Sequence, residues 1–192
     1  MGMMENWLAV ISNDPELPPD YRRVNWLHSD GNQRITITDT LHTGVDFTLT
    51  CQSDQTSDTG VILGYGAGGG RWFGVTGGKY AVATGERFSF NDIAITSKVD
   101  VTIRYTSGTI KATIGGTTVT GDIVGPQRSL TIFAGQGSSA WYSAPCKIYG
   151  LSASGVCNLV PCVRGSDDKP GFFDTVTKTF LTNSGTGEFT YG

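Results

Sequence analysis

Between Val99 and Val119 the chain alternates polar and apolar residues and reverses direction twice over glycine turns. Val99–Tyr105 reads apolar at every second position, Thr106–Gly108 is a turn, Thr109–Ile114 alternates again, and Gly115-Gly116 leads into Thr117–Val119. A period of two sends successive side chains to opposite faces, so each run is a strand with one buried face. Reversals this short join antiparallel neighbours. Val45–Cys51 is the cleanest repeat of the pattern, with Val45, Phe47, Leu49 and Cys51 on one face. Arg71–Val75 and Lys79–Ala83 pair around Thr76-Gly77-Gly78, and Arg34–Thr38, Val61–Tyr65 and Ser129–Ala134 add further short runs. About a dozen strands and no long helical pattern predict an all-β fold of two packed antiparallel sheets. With 192 residues, 27 of them glycine and only 16% charged, the chain suits one large sandwich with many turns. A chain of this size buries roughly 70% of its unfolded surface and needs neither metal nor disulfide to fold.

The N-terminus stands apart. Met1–Asp14 carries Trp7, Leu8, Val10 and Ile11, which form one apolar face, and Pro15, Pro18 and Pro19 then end any helix. Met1–Asp14 is therefore read as an arm, either folded back on the domain or serving attachment or oligomerisation, and Pro15–Gly192 as the domain proper. The first residues lack a basic region, and the apolar run is too short to span a bilayer. The expectation is a protein made in the cytoplasm without a secretion signal and with no membrane insertion.

Charge and motif spacing narrow the function. Net charge is −3 and the 14 Lys and Arg are scattered, whereas nucleic-acid binders concentrate them, so nucleic acid is not an expected partner. Gly66–Gly70 has neither the Gly-Lys-Ser/Thr of a phosphate loop nor a following helix, and reads as a hairpin loop. Glycoside hydrolysis needs paired carboxylates on one strand face. Glu5, Glu16, Glu86 and Glu188 begin no such arrangement, Asp100 is alone on its strand, and the histidines are only His28 and His42. A non-enzymatic role is expected. Cys51, Cys146, Cys157 and Cys162 lack zinc spacing and read as buried free thiols, with a Cys146–Cys162 pair left open. Glycan binding would use aromatic faces beside loops, for which Trp72, Trp141 and Tyr142 are the candidates, against the alternative that they cap the core. Tyr21–Leu27 reads as one strand, and Trp26 within it is assigned to the core.

The last third joins Cys146–Leu151 to Asn158-Leu159-Val160-Pro161-Cys162, a charged turn at Arg164–Lys169, Gly171–Asp174 and a hairpin-like ending at Phe180–Phe189. The order Lys147-Ile148-Tyr149, Leu159-Val160-Pro161-Cys162, Gly171…Asp174…Val176, Asn183…Gly185…Gly187…Phe189 resembles the C-terminal signature of concanavalin A-like (laminin G-like) jelly-roll domains. Such domains are abundant in tail, fibre and other virion proteins of phages and prophages from gut bacteria. Leu17-Pro18…Tyr21…Val24…Leu27 and Ser29…Gly31…Gln33…Ile35 are similar to the opening of the same domains, so the resemblance runs from Leu17 to Gly192. It implies a jelly-roll sandwich displayed on the virion as a capsid or tail decoration or fibre component. Other virion proteins and further copies of the chain would be its partners, and host or mucosal glycans its ligands. It also implies a place for calcium at a sheet edge, for which Asp54 with Asp58, or Asp167 with Asp168, are the candidates, against the reading that these acids are simply solvated. The alternative is a carbohydrate-binding module of a bacterial surface protein, which would bring a signal peptide, an anchor or further domains.

Overall fold

The computed structural model describes residues 16–37, 44–55, 59–65, 72–83, 87–106, 109–122, 130–136 and 141–192. The arm residues Trp7, Leu8, Val10 and Ile11, together with Asp58 and the Gly66–Gly70 loop, lie outside them. The described strands are β1 (Tyr21–Arg23), β2 (Leu27–Ser29), β3 (Ile35–Ile37), β4 (Asp46–Ser53), β5 (Gly60–Tyr65), β6 (Trp72–Thr76) and β7 (Lys79–Ala83). They continue with β8 (Arg87–Ala94), β9 (Val99–Tyr105), β10 (Thr109–Ile114), β11 (Thr117–Asp122), β12 (Leu130–Ile132), β13 (Gly135–Gln136) and β14 (Trp141–Tyr142). The last are β15 (Cys146–Ala153), β16 (Cys157–Arg164), β17 (Lys169–Asp174), β18 (Thr179–Thr182) and β19 (Thr190–Tyr191). No helix occurs among the described residues, and so none that is long and apolar enough to cross a membrane.

The strands form an antiparallel β-sandwich. The larger sheet runs β11-β10-β9-β4-β15-β16-β17-β18, the smaller runs β3-β12-β5-β6-β7-β8, and β13 and β14 make a separate ribbon. Alternation decides which face of each strand is buried: β9 reads buried at Val99, Val101, Ile103 and Tyr105 and exposed between them. β4 does the same through Phe47, Leu49 and Cys51. These side chains share one core with Phe73, Val75, Tyr80, Val82 and Phe90 of the smaller sheet. Phe73 stacks on Tyr80 with ring centroids 5.7 Å apart, and Phe133 packs on Phe189 at 4.9 Å. Each fully buried Phe, Leu or Ile stabilises the sandwich by roughly 1.5–3 kcal/mol of apolar transfer. The turns predicted at Gly77-Gly78 and Gly115-Gly116 are present, with φ of 55° and 73° in the first and 55° and 84° in the second. Both residues of each turn lie in the left-handed region that a type I′ reversal requires and a glycine adopts without steric cost.

Three expectations are corrected. Tyr21–Leu27 is not one strand but two, β1 and β2, which enter a fork in the larger sheet. β15 and β16 pair only near their connecting turn, from Leu151↔Leu159 to Ala153↔Cys157. Beyond that they diverge, and β1 takes the free side of β16 while β2 takes the free side of β15. Trp26, between β1 and β2, is half-buried and does not belong to the core. The ending is not a self-contained hairpin either: β18 returns along β17, whereas β19 leaves to pair with β2.

The residues that carry the family resemblance hold this fork and its neighbours together. The Ser29 hydroxyl donates to Gln33 Oε1 at 3.0 Å, and that oxygen also accepts the Asp30 N–H at 2.9 Å. Asn183 Oδ1 accepts the Arg34 N–H at 3.0 Å and the Gly185 N–H at 2.7 Å. Buried Asp174 accepts the N–H groups of Asn158 and Val176. Each satisfies backbone donors that the irregular chain leaves without a ladder partner.

Candidate functional site

The side of the larger sheet that faces away from the core gathers polar residues in register. One row crosses six strands: Thr118 of β11 opposes Thr113 of β10, which opposes Thr102 of β9, which opposes Thr48 of β4. Thr48 in turn opposes Ser152 of β15, and Ser152 opposes Asn158 of β16. All six are exposed or half-buried. With strands ~4.8 Å apart, this row of hydroxyls ending in an amide is about 24 Å long. Thr113 and Thr118 share a hydrogen bond of 2.9 Å, and Asn158 Nδ2 donates to Thr175 Oγ1 at 3.0 Å.

Charged and aromatic residues flank the row. On one side Asp46, Arg104 and Lys111 lie in line across β4, β9 and β10. Arg104 grips Asp46 with both carboxylate oxygens engaged, Nε to Oδ1 at 2.6 Å and Nη2 to Oδ2 at 2.7 Å. On the other side the Thr50 hydroxyl donates to Asp100 at 2.6 Å. Further along, Gln52, Lys147, His28 and Thr190 form another line. Lys98 Nζ sits 4.1 Å from the Tyr149 ring centre and Lys147 Nζ 4.6 Å from that of Trp26, both in cation–π range. His28 Nε2 lies 2.8 Å from Asp54 Oδ2 and its Nδ1 lies 3.2 Å from Thr190 Oγ1.

Two depressions follow the hydroxyl row. The first, about 310 Å³, is lined by Asp46, Thr102, Arg104, Lys111 and Thr113. The second, about 210 Å³, takes in Arg23, Thr48, Thr50, Tyr149, Ser152 and Asn158. They are open and mix hydroxyl, amide and charged groups with apolar carbon, the second also taking in Leu151, Val160 and Pro161, which suits a ligand that lies along the sheet and not one that is engulfed.

The sequence candidates lie elsewhere. Trp72 is half-buried on β6 of the smaller sheet. Trp141 and Tyr142 form β14 opposite Gln136 and Gly135, and their side chains lie outside the described residues. Of the calcium candidates, Asp54 is taken up with His28, and Asp167 accepts Arg164 at 2.9 and 2.6 Å. Those hydrogen bonds hold the Asp167 carboxyl below the usual carboxylate range. Asp168 sits in the left-handed region, with φ of 54°. Among the described residues no group of three or more His, Cys, Asp or Glu gathers closely enough to hold a metal ion. The four cysteines are free and buried. Cys146 lies in the main core cluster, whereas Cys162, whose pairing with it was left open, is equally buried but lies outside that cluster. Burial pushes the thiols up, Cys157 and Cys162 both to about 11.

The row itself escaped the sequence reading. Each of its threonines is visible as a polar position on a patterned strand, and its ends are short-range hairpin pairings, but its middle depends on Thr48 meeting Thr102 and Ser152, which lie far from it in the sequence. No protein-family model matches the chain, and comparison with curated proteins returns no match.

Proposed function

We propose that this chain is a non-enzymatic structural module displayed on a virion, a capsid or tail decoration or fibre component of the concanavalin A-like jelly-roll kind, that adheres to host-surface or mucosal glycans. The sequence resemblance supports the virion context and the jelly-roll topology. The observation that carries the adhesive role is the in-register row from Thr118 to Asn158 with its two shallow depressions. Hydroxyls both donate and accept, so a fixed row of them matches the mixed donor and acceptor pattern of a sugar chain.

The test is a glycan array probed with the wild-type protein, the double variant Thr48→Val/Thr102→Val and Trp72→Ala. The double variant keeps β-branched side chains on the strands, so the sheet stays folded while the middle of the row loses its hydroxyls. Binding that is lost in the double variant and kept in Trp72→Ala is the expected result. Binding unchanged in the double variant overturns this face as the site. The role of Met1–Asp14 in assembly is tested by the solution mass of the protein with and without those residues: a closed oligomer falling to monomer is expected, and one mass state for both overturns it.

A further inference from the structure

We propose that the second depression, in the fork of the larger sheet, receives one N-acetylated hexosamine residue of the bound glycan, with its acetamido group set against Val160 and Pro161. The inference rests on the adhesive reading above and adds to it a position on the face and a class of sugar. The position comes from a gap in the sheet. β15 is opposed by β16 from Leu151 to Ala153 and by β2 from Cys146 to Ile148, which leaves Tyr149 and Gly150 with no opposite residue on that side. β16 is opposed by β15 as far as Leu159 and by β1 from Cys162, which leaves Val160 and Pro161 in the same position. Pro161 has no N–H to give to a ladder, and its carbonyl accepts the Val24 N–H at 3.1 Å. All four residues line the depression. At about 210 Å³ it is smaller than the pocket of a drug-sized ligand and suits a single ring.

Gly150 keeps the floor of the depression open. A glycine inside a strand weakens it, and marks a bulge or a place where another group approaches the backbone. The register does shift here, between Ile148 and Gly150. A bulge calls for glycine only in the form with positive φ, however, and Gly150 is not among the glycines with positive φ. Crowding does not call for it either: a Cβ built there would meet only the Leu159 carbonyl oxygen, at 3.4 Å, an ordinary contact. At Gly171 and Gly185, by contrast, backbone oxygens leave no room for a side chain. The fold accepts alanine at position 150, and what glycine adds there is space on the face.

The groups around the gap set the sugar. Arg23, the one charged side chain that lines it, has a partner of its own, and the Thr50 hydroxyl is engaged by Asp100. Ionic attraction is therefore not what the depression offers. The Thr48 and Ser152 hydroxyls are exposed and make no hydrogen bond among the described residues. Asn158 donates through Nδ2 to Thr175, which leaves its Oδ1 to accept. Val160 and Pro161 add apolar carbon. An acetamido group joins an N–H, a carbonyl and a methyl in one planar unit. Its N–H suits Asn158 Oδ1 and its carbonyl suits the Ser152 hydroxyl, while its methyl covers Val160 and Pro161. A bare hydroxyl in its place would leave that wall wet, and a carboxylate would lose water against it.

The test is saturation-transfer NMR and titration calorimetry of the whole protein with sugars matched except at the acetamido group: chitotetraose against cellotetraose, and methyl N-acetylgalactosaminide against methyl galactoside. In at least one pair the acetylated sugar is expected to bind about ten-fold tighter, the value of one buried methyl group and one hydrogen bond. The strongest transfer is expected at its acetyl methyl protons. Raising the salt from 0.1 M to 1 M is expected to change the affinity by less than about two-fold, because no ion pair holds the ligand. Gly150→Ala is expected to abolish binding while the melting temperature is kept, and Ser152→Ala, an exposed change, to weaken it about five-fold. Lys111→Gln, at the other depression, is expected to bind as the wild type does. Equal binding within both pairs, array signals confined to sugars without an N-acetyl group, or a ten-fold loss in high salt overturns the sugar class and leaves the adhesive role standing. Full binding by folded Gly150→Ala, or by Ser152→Ala where Gly150→Ala does not fold, overturns the position. No binding to any of these sugars, together with a blank glycan array, overturns both readings.

Discussion

Tyr80→Phe isolates the polar tie between the two sheets. Tyr80 belongs to the smaller sheet and is wholly buried. Its hydroxyl donates to the Ile95 carbonyl at 2.9 Å and accepts the N–H of Ser53, on the larger sheet, at 3.2 Å. The phenylalanine keeps the ring and its stacking on Phe73, so only the hydroxyl is removed. The Ser53 N–H also reaches the Ile95 oxygen at 3.2 Å, so neither group is orphaned outright. The loss is then that of ordinary buried hydrogen bonds, about 1–2 kcal/mol, and not the larger cost of an unsatisfied donor. At roughly 2–4 °C per kcal/mol for a domain of this size, the melting temperature should fall by about 2–8 °C. Urea unfolding followed by tryptophan fluorescence should show a lower midpoint with an unchanged slope. Burial also raises the Tyr80 pKa far above its ordinary 10.0, so the folded phenol stays protonated where the unfolded one ionises. Its contribution is complete below about pH 10 and is lost as pH rises above it, and the gap between wild type and Tyr80→Phe should narrow there. Tyr149→Phe is the control, removing a half-buried hydroxyl that donates to Gln52 Oε1 at 2.9 Å and ties no two sheets together; it should cost less, about 0.5 kcal/mol. Equal midpoints for wild type and Tyr80→Phe, or equal losses in the two variants, would refute the tie.

Asp174→Ala should destabilise by about 2–3 kcal/mol, because it strips the acceptor from two backbone N–H groups and from the Thr177 hydroxyl at 2.7 Å; a urea midpoint within error of wild type would contradict this. Gly171→Ala would drive a methyl group into the Leu181 carbonyl oxygen and to 2.7 Å from the Phe180 ring. A loss of about 1–3 kcal/mol in thermal melts is expected from that overlap, and an unshifted melt rejects it. The cysteines should resist an aromatic disulfide reagent at pH 8 until denaturant is added, since all four thiols are buried and held protonated. For Cys157 and Cys162 the folded thiol is raised from 9.0 to about 11, so their contribution to stability is complete below pH 9 and fades as pH climbs towards 11; a stability profile flat across that window would count against it.

The sheets were legible in the sequence wherever one strand's own pattern decides the matter. β4, β9 and β10 alternate strictly, and the paired glycines at 77–78 and 115–116 announce their turns, because period and turn chemistry act over a few residues. The fork was not legible. Val24 and Trp26 stand two apart, so an unbroken strand would bury both on one face. Instead the chain leaves β16 at Val24, whose N–H bonds to the Pro161 carbonyl, and the N–H groups of Asn25 and Trp26 both turn to the Gly192 carbonyl. That break resets the alternation, so Val24 is buried while Trp26 stays half-exposed beside Lys147. Nothing within ten residues of Trp26 signals it, because the cause is the divergence of β15 from β16 far along the chain.

The same division separates fold from ligand. Ser29, Gln33, Gly171, Asp174, Asn183 and Gly185 carry the resemblance, and each has a folding duty: an acceptor for stranded N–H groups, or a backbone approach with no room for a side chain. Their duties concern the path of the chain, so what they report is architecture. Thr48, Thr102, Lys111 and Thr113 pack against no core and satisfy no backbone donor among the described hydrogen bonds. The sandwich would accept many other polar residues at those positions. Four consecutive strand pairings nevertheless bring hydroxyls opposite one another from β11 to β15, and a fifth adds an amide on β16. Threonine also suits an exposed strand, and cross-strand hydroxyl pairs such as Thr113 with Thr118 contribute roughly 0.2–1 kcal/mol each, so the row has a folding value of its own and only a binding experiment separates that from a role at the face.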